Sequence, residues 1–372
     1  MLETDRRRLL QTLPAAGAVL AAAPLIAHGT DQAASGLGDL AAARGLRFGS
    51  AVRNTQLADE DYVALVRRDC SVVVAENAQK MYAILPTRDA WRFDEADALA
   101  RFAEANALGL RGHALLWNHP DYLPDWLTDT AFDGPRDTES FLRGYIGRVA
   151  GRYAPQIYAW DVVNETLDPE TGALRPTPFT KAMGPQVVDV AFEEAKAAAP
   201  GATLSYNDYM SWEDGHESHR AAVLRLLERM VSDGVPVDGL GIQGHAKWTD
   251  RTAEFSSARQ KAWRGFLDEV TGMGLELYVT ELDVNDGDAT GTDTQRDAEI
   301  AAYTKDYLDL MLDYPQTKEV LTWGLVDHDS WIQAFVDEGE LVRRPLPFDD
   351  AYRPKPMYEA IAKAFRAAPE RS

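Results

Sequence analysis

Between residues 46 and 327 a short apolar run gives way to polar residues eight times, and several of the stretches in between carry helical spacing. The runs are Leu46–Val52, Cys70–Ala75, Leu110–Trp117, Ile157–Asn164, Ala202–Asp208, Gly239–Ala246, Leu275–Val284 and Glu319–Asp327. Between the second and third, Leu99, Phe102 and Ala103 share one helical face. Between the fourth and fifth, Val188, Ala191, Phe192 and Ala195 fall at i, i+3, i+4 and i+7, and Pro200-Gly201 stops the pattern. Strands that alternate with helices form a parallel sheet, because a parallel neighbour is reached only by a crossover, and crossovers are right-handed. Eight such units predict an α/β fold of the (β/α)8 TIM-barrel type in a single catalytic domain. The alternative, a doubly wound open sheet, lacks its usual support: no Gly-x-Gly-x-x-Gly and no phosphate loop occurs.

The same alternation says where chemistry belongs. Glu76-Asn77, His113, Asn164-Glu165, Asn207-Asp208, Gln243, His245, Glu281 and Trp323 all lie within or at the carboxyl end of a run. In a barrel those ends converge on one face, and active sites form there. Any one of these residues is explained as a helix cap or a satisfied buried group. Seven strands doing the same thing is not.

Composition narrows the chemistry. The formal charge of −21 argues against nucleic acid as a partner and favours a neutral or cationic ligand. The one cysteine, Cys70, precedes "SVVVA" and reads as a small buried residue, with no disulfide and no cysteine metal site available. His113 and His119 with Glu165 or Glu281 could in principle bind zinc, but their spacing is neither His-x-His nor His-Glu-x-x-His. No metal and no cofactor is therefore expected, and no Gly-x-Ser-x-Gly elbow supports a serine nucleophile.

The N-terminus reads as an address. Arg6, Arg7 and Arg8 precede a short apolar Ala/Leu/Val stretch, Leu13–Ala27, which is a signal peptide's pattern and too short for an anchor. Arg6-Arg7-Arg8-Leu9-Leu10 also resembles the twin-arginine export signal, a route for folded proteins that suits a chain without disulfides. The expected organisation is an export segment over 1–34 and the barrel over 35–372, with the mature start between 28 and 36. The product would be a periplasmic or secreted monomer, with no membrane association after cleavage. No apolar run in the body of the chain is long enough to span a bilayer.

Two acids dominate the predicted face. Glu165 ends the fourth run and Glu281 lies in the seventh. Two carboxyl groups across a cleft are what glycoside hydrolysis requires: one protonates the leaving oxygen, and the other attacks the anomeric carbon or activates water. Glu281 and Asp283 are two apart in a strand and point the same way. His245, one strand over, is expected to reach both and to help keep Glu281 ionised. Glu165, beside Asn164 and near Trp117, is expected in an apolar, anionic setting that keeps it protonated.

"ENAQK" (Glu76–Lys80), "RGHALLW" (Arg111–Trp117), "WDVVNE" (Trp160–Glu165), "YND" (Tyr206–Asp208), "GIQGH" (Gly241–His245), "VTELDV" (Val279–Val284) and "TWGLVDHDSW" (Thr322–Trp331) occur in order. Together they resemble glycoside hydrolase family 10, the endo-β-1,4-xylanases, from about Phe48 to Ile361. The resemblance implies retaining, endo-acting cleavage of xylan, with Glu165 as acid/base and Glu281 as nucleophile. It implies that Glu76, Asn77, Lys80, His113 and Asn164 hold glycone hydroxyls. Trp117, Trp323 and Trp331 would stack on or wall in sugar rings, and Gln243 and Tyr209 would touch the cleavage region. Two other readings remain open: a barrel glycosidase on another β-1,4-glycan, and a non-catalytic carbohydrate-binding barrel. One stretch departs from the family. After Trp117 the pattern usually continues His, any residue, Gln; here it is Asn118, His119, Pro120, with His119 a one-residue-shifted substitute in the glycone region.

Overall fold

The computed structural model describes residues 35–371 except 249–255, 288 and 338–339, so the export segment expected over 1–34 lies outside the described residues. Nine parallel strands are β1 (Arg47–Val52), β2 (Val72–Ala75), β3 (Gly109–Trp117), β4 (Ile157–Asn164), β5 (Thr203–Asp208), β6 (Gly239–Ile242), β7 (His245–Lys247), β8 (Glu276–Asn285) and β9 (Thr317–Thr322). β1 pairs with both β2 and β9, and β6 pairs with β8 across the short β7. Eight strands thus close into a barrel, and β7 is a separate piece that among the described residues pairs with β8. Among the described residues no helix is long and apolar enough to cross a membrane.

Two expected strands need correction. Gly239–Ala246 is not continuous: it breaks at Gln243-Gly244, where Gly244 takes φ +79°, a conformation that interrupts an extended chain. The run Glu319–Asp327 leaves the sheet at Thr322, because Gly324 takes φ +106° and Asp327–Asp329 is already a 3-10 turn. The helices fall where the periodicity put them. Asp94–Ala105 buries Leu99 and Ala103, and Gln186–Ala198 buries Val188, Ala191, Phe192 and Ala195.

The strands sort their side chains between two apolar layers. In β2, Val73 and Ala75 join the large layer between sheet and helices, while Val72 and Val74 join Ala51, Leu321 and Trp323 in a small cluster of their own. That is the period-two alternation of a strand buried on both faces. Next to the small cluster the barrel holds a buried polar chain. Arg111 donates to Asp161 Oδ1 (2.5 Å), to Ser205 Oγ (2.7 Å) and to Glu319, and Asp161 Oδ2 meets His113 Nδ1 at 3.0 Å. Arg111 and Glu319 are fully buried and Asp161 nearly so. Each charge therefore depends on its partner, since removing one side of such a pair typically costs roughly 3–5 kcal/mol.

Irregularities in β3, β4 and β8 decide which residues face inward. Register shifts lie between His113 and Leu116, between Asp161 and Val163, and between Val279 and Leu282. A bulge re-aims every residue after it. Asp161 and Asn164 are an odd number apart, yet they bond Ser205 and Asn207, which are two apart on β5 and share a face. Likewise Thr280 and Glu281 both reach Asn207 although they are adjacent in β8.

Candidate active site

β4 delivers Asn164 and then Glu165 at its end. Glu165 takes φ +51°, a left-handed conformation that costs a non-glycine residue about 1–2 kcal/mol. Its backbone is held on both sides: Glu165 N donates to Asn207 O (3.0 Å), and Arg175 Nε donates to Glu165 O (3.0 Å). The carboxyl then meets three donors. Trp117 Nε1 lies 3.0 Å from Oε2; Gln243 Nε2 and Asn164 Nδ2 lie 2.8 and 3.2 Å from Oε1. Burial raises the carboxyl above its ordinary value, the Gln243 hydrogen bond works against this, and the negative charges of Asp208 and Glu281 add to the rise.

Glu281 has the opposite setting. Asn207 Nδ2 donates to Oε1 at 2.7 Å, and His245 Nε2 lies 3.3 Å from Oε2. His245 Nδ1 meets Asp283 Oδ2 at 2.9 Å, so the imidazole stands between two carboxylates. Burial opposes its charge, but Asp283 and then Glu281 outweigh that and push it up to about 10. Burial also pushes Glu281 up. His113, His245 and Lys80 together reverse this and hold Glu281 below its ordinary value. One amide links the two acids' surroundings, since Asn207 Nδ2 also donates to Asn164 Oδ1 at 2.8 Å. Asn207 in turn requires a glycine beside it: a Cβ at Gly241 would stand 2.1 Å from Asn207 Oδ1.

The remaining expected residues join this network. Glu76 takes Arg53 Nε at 2.6 Å and Asn77 Nδ2 at 3.4 Å; Lys80 Nζ donates to Asn77 Oδ1 at 3.2 Å. His113 lies edge-on to Trp323, with ring centroids 5.1 Å apart. Trp331, 36% exposed, donates its Nε1 to Asp283 Oδ2 at 2.8 Å, and its ring lies 5.0 Å from that of His245. Tyr209 OH accepts from Arg175 Nη2 at 2.6 Å, the same guanidinium that holds Glu165.

The loop after β3 bears on Trp117 and on the Asn118 departure. Tyr122 stacks on Trp117 with centroids 3.9 Å apart and planes 12° from parallel, and Lys80 Nζ lies 4.4 Å from the Trp117 centroid. A ring stacked that closely leaves no room for an ammonium on its own side, so Lys80 covers the other face. With both faces covered and its N–H on Glu165, Trp117 is left the second of its two expected roles, walling rather than stacking. The Asn118 departure turns inward: Asn118 is fully buried, donates to Thr166 Oγ1 (2.7 Å) and accepts from Thr177 Oγ1 (2.7 Å). It ties the loop after β3 to the loop after β4.

Sequence reasoning assigned no role to Asn207, Asp161, Arg175, Arg53, Gln79 or Tyr122. Asn207 and Asp161 carried a signal, being polar residues in apolar runs. Gln79 lies inside "ENAQK" and accepts from His113 N at 3.0 Å. Arg175, Arg53 and Tyr122 come from loops, where no periodicity marks a residue that faces the cleft. Among the described residues no group of three or more His, Cys, Asp or Glu is placed to hold a metal.

Comparison with known proteins points to one family. Endo-1,4-beta-xylanase 5 of Pyricularia oryzae is 32% identical over 349 residues, covering 91% of this chain and 81% of that protein. Endo-1,4-beta-xylanase B of Paenibacillus barcinonensis is 30% identical, covering 86% of this chain and 95% of its own. The crystal structure of xylanase 10B from Thermotoga petrophila in complex with xylobiose superposes with a TM-score of 0.79 at 30% identity, covering 89% of this chain and 97% of that one. The sequence model of Glycosyl hydrolase family 10 matches residues 36–364, nearly the whole described barrel, and the chain belongs to that family.

Proposed function

We propose that this protein is an endo-1,4-β-xylanase that cleaves xylan with retention of configuration, Glu165 serving as acid/base and Glu281 as nucleophile. The observation that carries this reading is the opposed setting of the two glutamates. Glu165 is buried with negative neighbours that favour its protonated form, whereas Glu281 is held anionic against the charged His245. Glu281 would attack the anomeric carbon while Glu165 gives its proton to the departing glycosidic oxygen. Glu165, now ionised, would take a proton from the water that releases the glycosyl-enzyme, restoring both groups. Retention requires carboxyl groups roughly 5–5.5 Å apart, against about 6.5–9.5 Å for inversion. Family membership and relatives named as endo-1,4-beta-xylanases support xylan as the substrate. Reducing-sugar release from xylan, carboxymethylcellulose and mixed-linkage glucan, with NMR of the first-formed anomer, tests it. Preference for either glucan, or an α-anomer formed first, would overturn the corresponding part.

The opposed shifts set a pH profile. The ionised nucleophile is lost as pH falls through the depressed Glu281 value, and the proton donor is lost as pH rises through the elevated Glu165 value. The kcat/KM should therefore be bell-shaped, with Glu165 responsible for the basic limb. Glu165→Ala, assayed on an aryl xylobioside, should lose that limb and keep the acid one. A basic limb that persists in the variant belongs to another group.

The reading includes the export segment 1–34 ahead of a catalytic domain over 35–372. Changing Arg6 and Arg7 to Lys should trap active precursor in the cytoplasm, followed by activity in cell fractions. Unchanged export would remove the twin-arginine route.

A further inference from the structure

The ring that covers Trp117 has a second side. Tyr122 is 45% exposed, although its inner face lies flat on the Trp117 indole. Most of what it shows to solvent is therefore its outer face.

That face is rigidly held. Pro120 opens the one-turn 3-10 helix Pro120–Tyr122, His119 Nδ1 accepts from Asp121 N at 3.2 Å, and Tyr122 N donates to His119 O at 3.1 Å. The His119 ring lies 4.9 Å from that of Tyr122, and the indole beneath is pinned by its bond to Glu165. A ring fixed this way loses little freedom on binding, which is what makes an aromatic platform effective.

Its position is also defined. Lys80, on the far face of Trp117, bonds Asn77. Tyr82 OH donates to the same Asn77 oxygen at 2.7 Å, and Tyr122 is among the groups that raise the Tyr82 phenol, after burial and Glu76. Tyr122 thus stands beside the Asn77–Lys80 cluster, outside the indole that separates it from the acids.

We propose that the outer face of Tyr122 is a stacking platform for an additional xylose ring of the substrate chain, on the glycone side beyond the ring held by Asn77 and Lys80. This rests on the xylanase reading above. A pyranose presents an apolar C–H face, and a flat aromatic ring is its natural partner. The loop that departs from the family pattern would then add a binding position.

The test compares 4-nitrophenyl β-xylobioside with the β-xylotrioside, which reaches one ring further. The ratio of kcat/KM for trioside over bioside cancels any loss of folded enzyme. It should fall about tenfold in Tyr122→Ala and hold in Tyr122→Phe, which keeps the face and removes only the hydroxyl. An unchanged ratio in Tyr122→Ala overturns the platform, as does an equal fall in Tyr122→Phe. If the wild-type enzyme cleaves neither xyloside but does cleave the matching aryl cello-oligosaccharides, the xylan assignment fails. The platform is then judged by the same ratio on the cellotrioside and cellobioside.

Discussion

Glu281→Ala should lose turnover on every substrate, by about ten-thousandfold or more, because the attacking carboxylate itself is removed. The loss should not depend on the leaving group, since a better leaving group does not supply the missing nucleophile. Neither an aryl xylobioside nor xylan should be spared. The scaffold around the gap should persist. His245 keeps its 2.9 Å contact with Asp283, and Asn207 keeps Asn164 and Thr280. Azide admitted to the vacated space would attack the same face that Glu281 used, giving an α-glycosyl azide from a β-aryl xylobioside. Kinetics on both substrates and NMR of the azide product measure this. A Glu281→Ala enzyme that retains several per cent of activity on either substrate would place the nucleophile elsewhere.

Glu165→Ala should divide substrates that Glu281→Ala treats alike. On xylan the departing sugar needs its proton, so kcat/KM should fall by a factor of about 100 to 10,000. An activated aryl group leaves unprotonated, so the first step on aryl xylobioside should survive. The second step then lacks its base. The glycosyl-enzyme should accumulate, visible as a burst of phenolate and by intact mass. Azide needs no base and should restore turnover, and because it attacks a covalent intermediate its product is the β-glycosyl azide. An α-azide from this variant, or equal loss on both substrates without rescue, would mean that Glu165 has another role.

Much of this was legible before folding was considered. A carboxyl-end residue is recognisable because strands have short, regular periods and a barrel collects their ends. Glu165, Glu281, His245 and Asp283 could thus be named together, and the His245–Glu281–Asp283 arrangement followed from two-residue spacing in one strand and adjacency to the next. The loops offered no such rule. Arg175 reaches Glu165, and Tyr122 the outer face of Trp117, because of turns whose geometry no local pattern in the chain announces.

Alternation alone also misplaces part of the site. Strict period two would turn Asn164 away from the face that Asp161 occupies, and would put Thr280 and Glu281 on opposite faces. The bulges in β4 and β8 bring both pairs inward. A bulge is stable only where neighbouring strands and buried partners accept the extra residue, here Ser205, Asn207 and Gln243. The order of elements, the barrel and the identity of the two acids therefore lie in local residue pattern, because spacing and hydrophobicity are local quantities. The inward phase of the strand ends, the strained backbone of Glu165 and the opposite proton affinities of two chemically identical side chains arise only when distant segments meet, because burial and charge proximity exist only in the assembled barrel.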